Sequence, residues 1–143
     1  MALTRDEREE FLAAPHIAAL AVDAGPGRGP LVVPIWYAYE PGGRPWVLTG
    51  ADSRKARLIR AAGRFSLMVE RLEPTVRYVS VEGPAELTPA DEATHRTMAS
   101  RYLTGAPLDA YLTMARDFGP QVVIHLTPTH WLSSDMGSPT GPA

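Results

Sequence analysis

The chain has 143 residues, enough for one domain with a single core. Its 45% hydrophobic and 21% charged residues are ordinary for a soluble globular protein, and a net charge of −2 provides no global field toward nucleic acid or a membrane surface. The absence of cysteine excludes disulfides and thiolate metal ligands, and the four histidines (His16, His95, His125, His130) show no metal-ligand spacing, so no metal site is expected.

Thr4 followed by Glu7 is a capping box, predicting a short helix that stops before Pro15. The N-terminus lacks the apolar core of a signal sequence, and the longest apolar run, Ile17 to Val22, is too short to span a bilayer. A cytoplasmic protein is expected. His16 to Val22 reads as a strand. The Gly- and Pro-rich run 23–30 then turns the chain into a second strand, Leu31 to Tyr39. Pro34 interrupts that strand, because proline cannot donate to the ladder. Residues 40–44 form a turn into a third strand, Trp46 to Thr49. Ser53 is the expected N-cap of a helix that begins at Arg54 and ends near Gly63, an αL C-cap residue. Phe65 to Glu70 and Thr75 to Leu87 read as the fourth and fifth strands, with Gly83-Pro84 as a bend in the latter. Thr88-Pro89 reads as the N-cap and first residue of a helix running to about Leu103. A further helix follows Pro107 and ends near Gly119. Gln121 to Leu126 and Trp131 to Ser133 close the chain as strands. Residues 1–136 form one expected domain, and residues 137–143 an expected disordered tail.

Short hairpins imply antiparallel pairing, and six or seven such strands remove their edges by curling into a barrel. The predicted class is α+β: a mostly antiparallel small barrel with short helices packed outside.

Three segments carry chemistry. The first is Val33-Pro34-Ile35-Trp36, a strand break beside a large aromatic. The second runs from Thr49 to Lys55. Lys55 is the single lysine beside thirteen arginines, and it stands with Arg54 in the first turn of a Ser-capped helix. Backbone N–H groups, the positive helix end and two cationic side chains converge there, which suits a phosphate. A solvated, capped helix start is the plainer reading of the same residues. Arg57 continues the cationic strip one turn on, whereas Arg60 and Arg64 read as an ordinary basic face. The third segment is Arg77 to Gly83, where Val79 and Val81 share one face and Tyr78, Ser80 and Glu82 the other. Trp36 reads either as core or as the wall of a planar ligand, and Tyr78 either as a ligand contact or as plain strand surface. Tyr37 and Tyr39 read as barrel packing. Asp52 is explained by turn chemistry. Glu82 has no carboxylate partner for acid–base work, and no nucleophile motif is present.

These segments, in this order and spacing, resemble the pyridoxamine 5′-phosphate oxidase-like split-barrel family of flavin and deazaflavin proteins. Ser53-Arg54-Lys55-Ala56 is similar to its phosphate motif, preceded by Thr49 at a strand end. Val33 to Trp36 lies where its ring-contacting strand belongs, sixteen residues before Thr49. Ile124 to Pro128 resembles its C-terminal strand and corner. The resemblance covers roughly residues 10–135. It implies a homodimeric split β-barrel of six or seven strands with cofactor sites at the subunit interface. Thr49, Ser53, Arg54 and Lys55 would hold phosphate, and a partner residue such as Trp131 would cover the ring.

The chain lacks the C-terminal Arg and His that grip pyridoxal phosphate in the oxidase itself, and Ser100-Arg101-Tyr102 matches its substrate helix incompletely. The compact form looks more like the actinobacterial reductases that use coenzyme F-420. That likeness implies hydride transfer to a small-molecule acceptor such as a quinone, an enone or a linear tetrapyrrole. The anionic tail of F-420 would follow Arg57. An FMN-dependent oxidoreductase, which needs only the phosphate motif, is the alternative reading. A cofactor-binding protein without turnover is a third, and a ligand-free structural barrel leaves the Ser-Arg-Lys helix start unexplained.

Overall fold

A computed structural model of the chain describes residues 1–138. Helix α1 (Arg5–Ala13) starts at the Thr4 capping box, with Glu7 N donating to Thr4 Oγ1 at 3.2 Å and Thr4 N to Glu7 Oε1 at 2.9 Å. It leads into strands β1 (Ala18–Val22), β2 (Leu31–Ile35), β3 (Tyr37–Ala38) and β4 (Trp46–Gly50). Then come α2 (Arg54–Ala62), β5 (Arg64–Arg71), β6 (Arg77–Pro89), α3 (Glu92–Ala99), α4 (Gly105–Ala115), β7 (Gln121–Leu126) and β8 (His130–Asp135).

The strands are ordered β2-β1-β5-β6-β7-β4-β3, all pairs antiparallel, and β8 pairs with β6 off this path. The two ends of the path, β2 and β3, are one strand interrupted at Trp36. The sheet therefore curls until its ends meet at that break, giving an α+β split barrel. Strand β6 serves both halves. Its first part lies between β5 and β8, and beyond Pro84 it leaves β5 and pairs with β7. At the switch, a Cβ on Gly83 would lie 1.7 Å from the Thr127 carbonyl oxygen. Only glycine admits the β7–β8 corner so close. Two hydrogen bonds fix the crossing, Thr127 N to Pro84 O and Thr129 N to Glu82 O, each 2.9 Å.

Alternation puts Leu20, Leu67, Val79, Val81, Val47, Ile124 and Leu126 inside, all fully buried. α1 adds Phe11 and Leu12, and α2 adds Ala56 and Ile59. Tyr37 and Tyr39 are buried as well. The Tyr37 hydroxyl shares its one hydrogen between the carbonyls of Leu12 (2.6 Å) and Ala14 (2.9 Å) at the end of α1. Gly63 ends α2 at φ 76°, and its N–H donates to Ile59 O.

The expected bounds of the two helices between β6 and β7 are corrected. No helix starts at Thr88-Pro89. β6 continues through both residues, which pair with Val123 and Val122. Beyond Pro84 the side of β6 away from β7 has no partner strand among the described residues, and an edge tolerates a residue with no N–H. Asp91 caps α3 instead, accepting from Thr94 N at 2.8 Å, and α3 ends at Ala99 rather than Leu103. α4 begins at Gly105, with Pro107 inside its first turn where no N–H is required, and stops at Ala115. Of the expected tail, Gly137 is tied to the fold through Val76 N and Asp135 Oδ1, and residues 139–143 lie outside the described residues. Among the described residues no helix is long and apolar enough to cross a membrane.

Candidate functional site

The cradle forms where β4 hands over to α2. Thr49 is buried, and its Oγ1 lies 3.0 Å from Ser53 Oγ, which also accepts from Ala56 N at 3.2 Å. Whichever hydroxyl donates within this pair, the other keeps one O–H to offer elsewhere. Arg54, Lys55 and Arg57 occupy the first, second and fourth helical positions, with no acidic residue in that turn. Cations at the positive end of a helix repel the macrodipole. None of the three makes an ion pair or side-chain hydrogen bond with the described residues, and Arg54 and Arg57 are exposed. The local field thus calls for an anion. Arg60 points elsewhere, its Nη1 donating to the Ala51 carbonyl at 2.7 Å.

An apolar cavity of about 350 Å3 opens beside the strand break, lined by Ile17, Pro34, Ile35, Trp36, Leu48, Met98 and Tyr111. A second, of about 320 Å3, shares Ile17 and Pro34 and adds Val33. Pro34 lines both cavities, Ile35 and Trp36 the first and Val33 the second. Leu48 and Gly50 project to the same side of β4, about 7 Å apart along the strand. Leu48 lines the first cavity, and Thr49, the next residue, turns its buried side chain to the opposite face of β4, so cavity and cradle both adjoin the end of this strand without sharing one face of it. Together they offer what a phosphate-bearing planar cofactor needs: donors and positive charge at one end, an apolar slot at the other.

The break itself is braced from the helical excursion. The Tyr102 hydroxyl accepts from Tyr37 N (3.1 Å) and reaches the carbonyls of His16 (2.7 Å) and Tyr37 (3.0 Å), and Arg101 Nε also donates to Tyr37 O at 2.9 Å. The backbone polar groups of Tyr37 are therefore engaged within the chain rather than left for a ligand. Trp36 stacks on Tyr102 (4.7 Å, 15°) and tilts against Tyr111 (5.3 Å), so one ring both packs and lines the cavity. Burial raises the pKa of Tyr111 and keeps its hydroxyl protonated.

Tyr78 is not brought to the cradle within one chain. It stands on the outer face of β6 between Glu70 and Ser134, and Val79 and Val81 point inward as expected. Trp131 lies under Arg8, whose guanidinium is 4.6 Å from its ring, and edge-on to Tyr39. The sequence reading missed Tyr111, Leu48, Met98 and Ile17 as cavity residues, and Arg101 and Tyr102 as braces. No local motif distinguishes these residues, which reach the cavity or the break only through tertiary packing.

The outer face of the β2-β1-β5-β6-β8 half carries a row formed by register: Pro34, Ala19, Met68, Ser80 and Leu132. Val32 and Leu132 on this face are 61% and 64% exposed.

Residues 4–135 match the sequence model of the pyridoxamine 5′-phosphate oxidase family. Among curated proteins, none matches the chain in sequence. Similar solved structures include a conserved hypothetical protein from Mycobacterium tuberculosis, at TM-score 0.74 and 27% identity, covering 94% of this chain and 86% of that one. An F-420 reductase superposes at TM-score 0.70 with 26% identity, covering 87% and 94%. A FAD-binding protein from Mesorhizobium loti, at 22% identity and TM-score 0.68 with 94% and 96% covered, shares the fold.

Proposed function

The chain belongs to the pyridoxamine 5′-phosphate oxidase family, and on that premise we propose that it is a coenzyme F-420-dependent oxidoreductase acting on an electron-poor small molecule. The observation that carries this reading is the start of α2, where two cations stand in the first turn and a third follows at the fourth position with no acid among them, beside an uncommitted hydroxyl and at the end of the strand whose Leu48 lines an apolar cavity. The similarity to an F-420 reductase supports the choice of coenzyme. FMN is the second reading, since the cradle alone suffices for a terminal phosphate.

When bound, the coenzyme supplies a hydride to the acceptor. The chain's own residues bind, orient and exclude water. Ser53, Arg54 and Lys55, backed by Thr49, hold the phosphate, and Arg57 faces the anionic tail of F-420. The surface Val33-Pro34-Ile35-Trp36 seats the ring. Ile17, Leu48 and Met98 keep water from it, which strengthens every polar contact inside. The protonated Tyr111 hydroxyl offers the cavity a hydrogen bond toward an acceptor carbonyl. A second copy of the chain, docked on the exposed outer face, closes the site and brings its own Tyr78 near it.

The test is a titration with F-420 and with FMN, followed by tryptophan fluorescence. Replacing Arg54 and Lys55 together by alanine removes two charge-assisted contacts and is expected to weaken both coenzymes at least about 100-fold. Arg57→Glu is expected to weaken F-420 selectively. Wild-type affinity for both coenzymes in the double variant refutes the cradle. Equal effects of Arg57→Glu on the two coenzymes remove the argument for the tail.

A further inference from the structure

A separate polar recess of about 260 Å3 lies where α1 meets the turn before β4 and the corner between β7 and β8, lined by Arg5, Arg8, Glu9, Tyr39, Gly42 and Trp131 with their neighbours. It sits at the beginning of β4, whereas the cradle follows its end, on the order of 15 Å away along the strand.

Its donors outnumber its acceptors. Glu9 is committed to Arg5 at 3.6 Å. Arg8 has no carboxylate partner among the described residues, and its Nε is buried without a hydrogen-bond partner, while the guanidinium plane rests on Trp131. Tyr39 is 3% exposed, and its buried hydroxyl hydrogen has no acceptor among the described residues. Burial first, and then Glu9, raises the pKa of this hydroxyl against the opposing pull of the Gly42 N–H and Arg8, so it keeps its hydrogen and donates. Two buried donors lining one recess, with no acceptor for either among the described residues, call for an acceptor from outside them.

The charge selects which acceptor. Arg5 and Glu9 cancel, leaving one positive charge, that of Arg8. A monoanion balances it, whereas a dianion leaves excess negative charge beside Glu9. We infer that this recess is a binding site for a small monocarboxylate whose oxygens accept from Arg8 Nε–H and the Tyr39 hydroxyl. Trp131 backs the guanidinium and holds its fork in place.

The experiment follows the Arg8 Nε–H resonance of the full chain by NMR, assigned by its disappearance in Arg8→Gln. Acetate and propionate are titrated against chloride at matched ionic strength, with inorganic phosphate as a third arm. A saturable downfield shift with both carboxylates, weakened at least about tenfold in Tyr39→Phe, is expected. The same shift is expected in the Arg54→Ala, Lys55→Ala double variant, so failure of the coenzyme reading leaves this site intact. A carboxylate response no larger than that of chloride overturns the site, as does an unchanged midpoint in Tyr39→Phe. Tighter binding of phosphate than of acetate overturns the monoanion assignment. Tyr39→Phe keeps the core ring, and the wild-type titration alone decides the matter if that variant does not fold.

Discussion

Replacing Tyr102 by phenylalanine isolates the brace across the strand break. The variant keeps the ring, so stacking on Trp36 at 4.7 Å persists and no cavity opens. What disappears is one hydroxyl serving three backbone groups. Tyr37 O retains Arg101 Nε, so its loss is partial. Tyr37 N, in a fully buried residue, loses its acceptor, and the half-buried His16 carbonyl loses its donor. An orphaned buried backbone group costs about 1–3 kcal/mol, and the carbonyl adds a smaller amount, so the expected destabilisation is about 2–3 kcal/mol. With roughly 2–4 °C per kcal/mol for a chain of this length, the melting temperature falls by about 4–12 °C. Urea denaturation measures the loss directly, with an unchanged m-value showing that the unfolded reference is the same. A change below about 0.5 kcal/mol refutes the claim that this hydroxyl holds the break together.

Other predictions follow from single contacts. Gly83→Ala drives a methyl into the Thr127 carbonyl and separates β6 from the β7–β8 corner, so a loss of about 3 kcal/mol or more in urea is expected, and one under about 1 kcal/mol contradicts the crossing geometry. The pKa of His125 is lowered below its ordinary 6.5 by burial and then by Arg44, against Glu86. Below 6.5 the unfolded chain binds more protons than the folded one, so stability drops as pH falls through that range and levels off under the folded pKa. His125→Gln is expected to flatten urea midpoints measured between about pH 8 and pH 5, and an unaltered slope assigns the acid sensitivity elsewhere. Val32→Arg places a charge on the exposed apolar face and is expected to shift the mass seen by light scattering from dimer to monomer. A dimer that survives this change docks through another face.

Local chemistry was readable where cause and effect lie within a few residues. The Thr4–Glu7 box, the αL Gly63, the Ser53 cap and the inward Val79 and Val81 each follow from their neighbours in sequence. A break in this strand was readable too, but it falls at Trp36, while Pro34 stays within β2 at the edge of the sheet, paired with Ala19, and what braces the break was not readable. Tyr102 lies 65 residues from Tyr37, in the turn after α3, and nothing in the surrounding sequence announces the contact. Thr88-Pro89 misled because a threonine before proline signals a helix start only when the strand has ended. Here an unpartnered edge let β6 run on to Pro89. Of the cavity, the Val33–Trp36 wall was legible, whereas Tyr111 and Met98 reach it through packing of α3 and α4.

The start of α2 is mechanically joined to the interior, since Ala56 and Ile59 of the same helix are fully buried. Relief of electrostatic strain at its tip therefore reaches the whole domain. A coenzyme at 100 times its dissociation constant adds about 2.7 kcal/mol to the folded state. On the proposed function, a shortage of coenzyme would leave this protein more open to proteolysis.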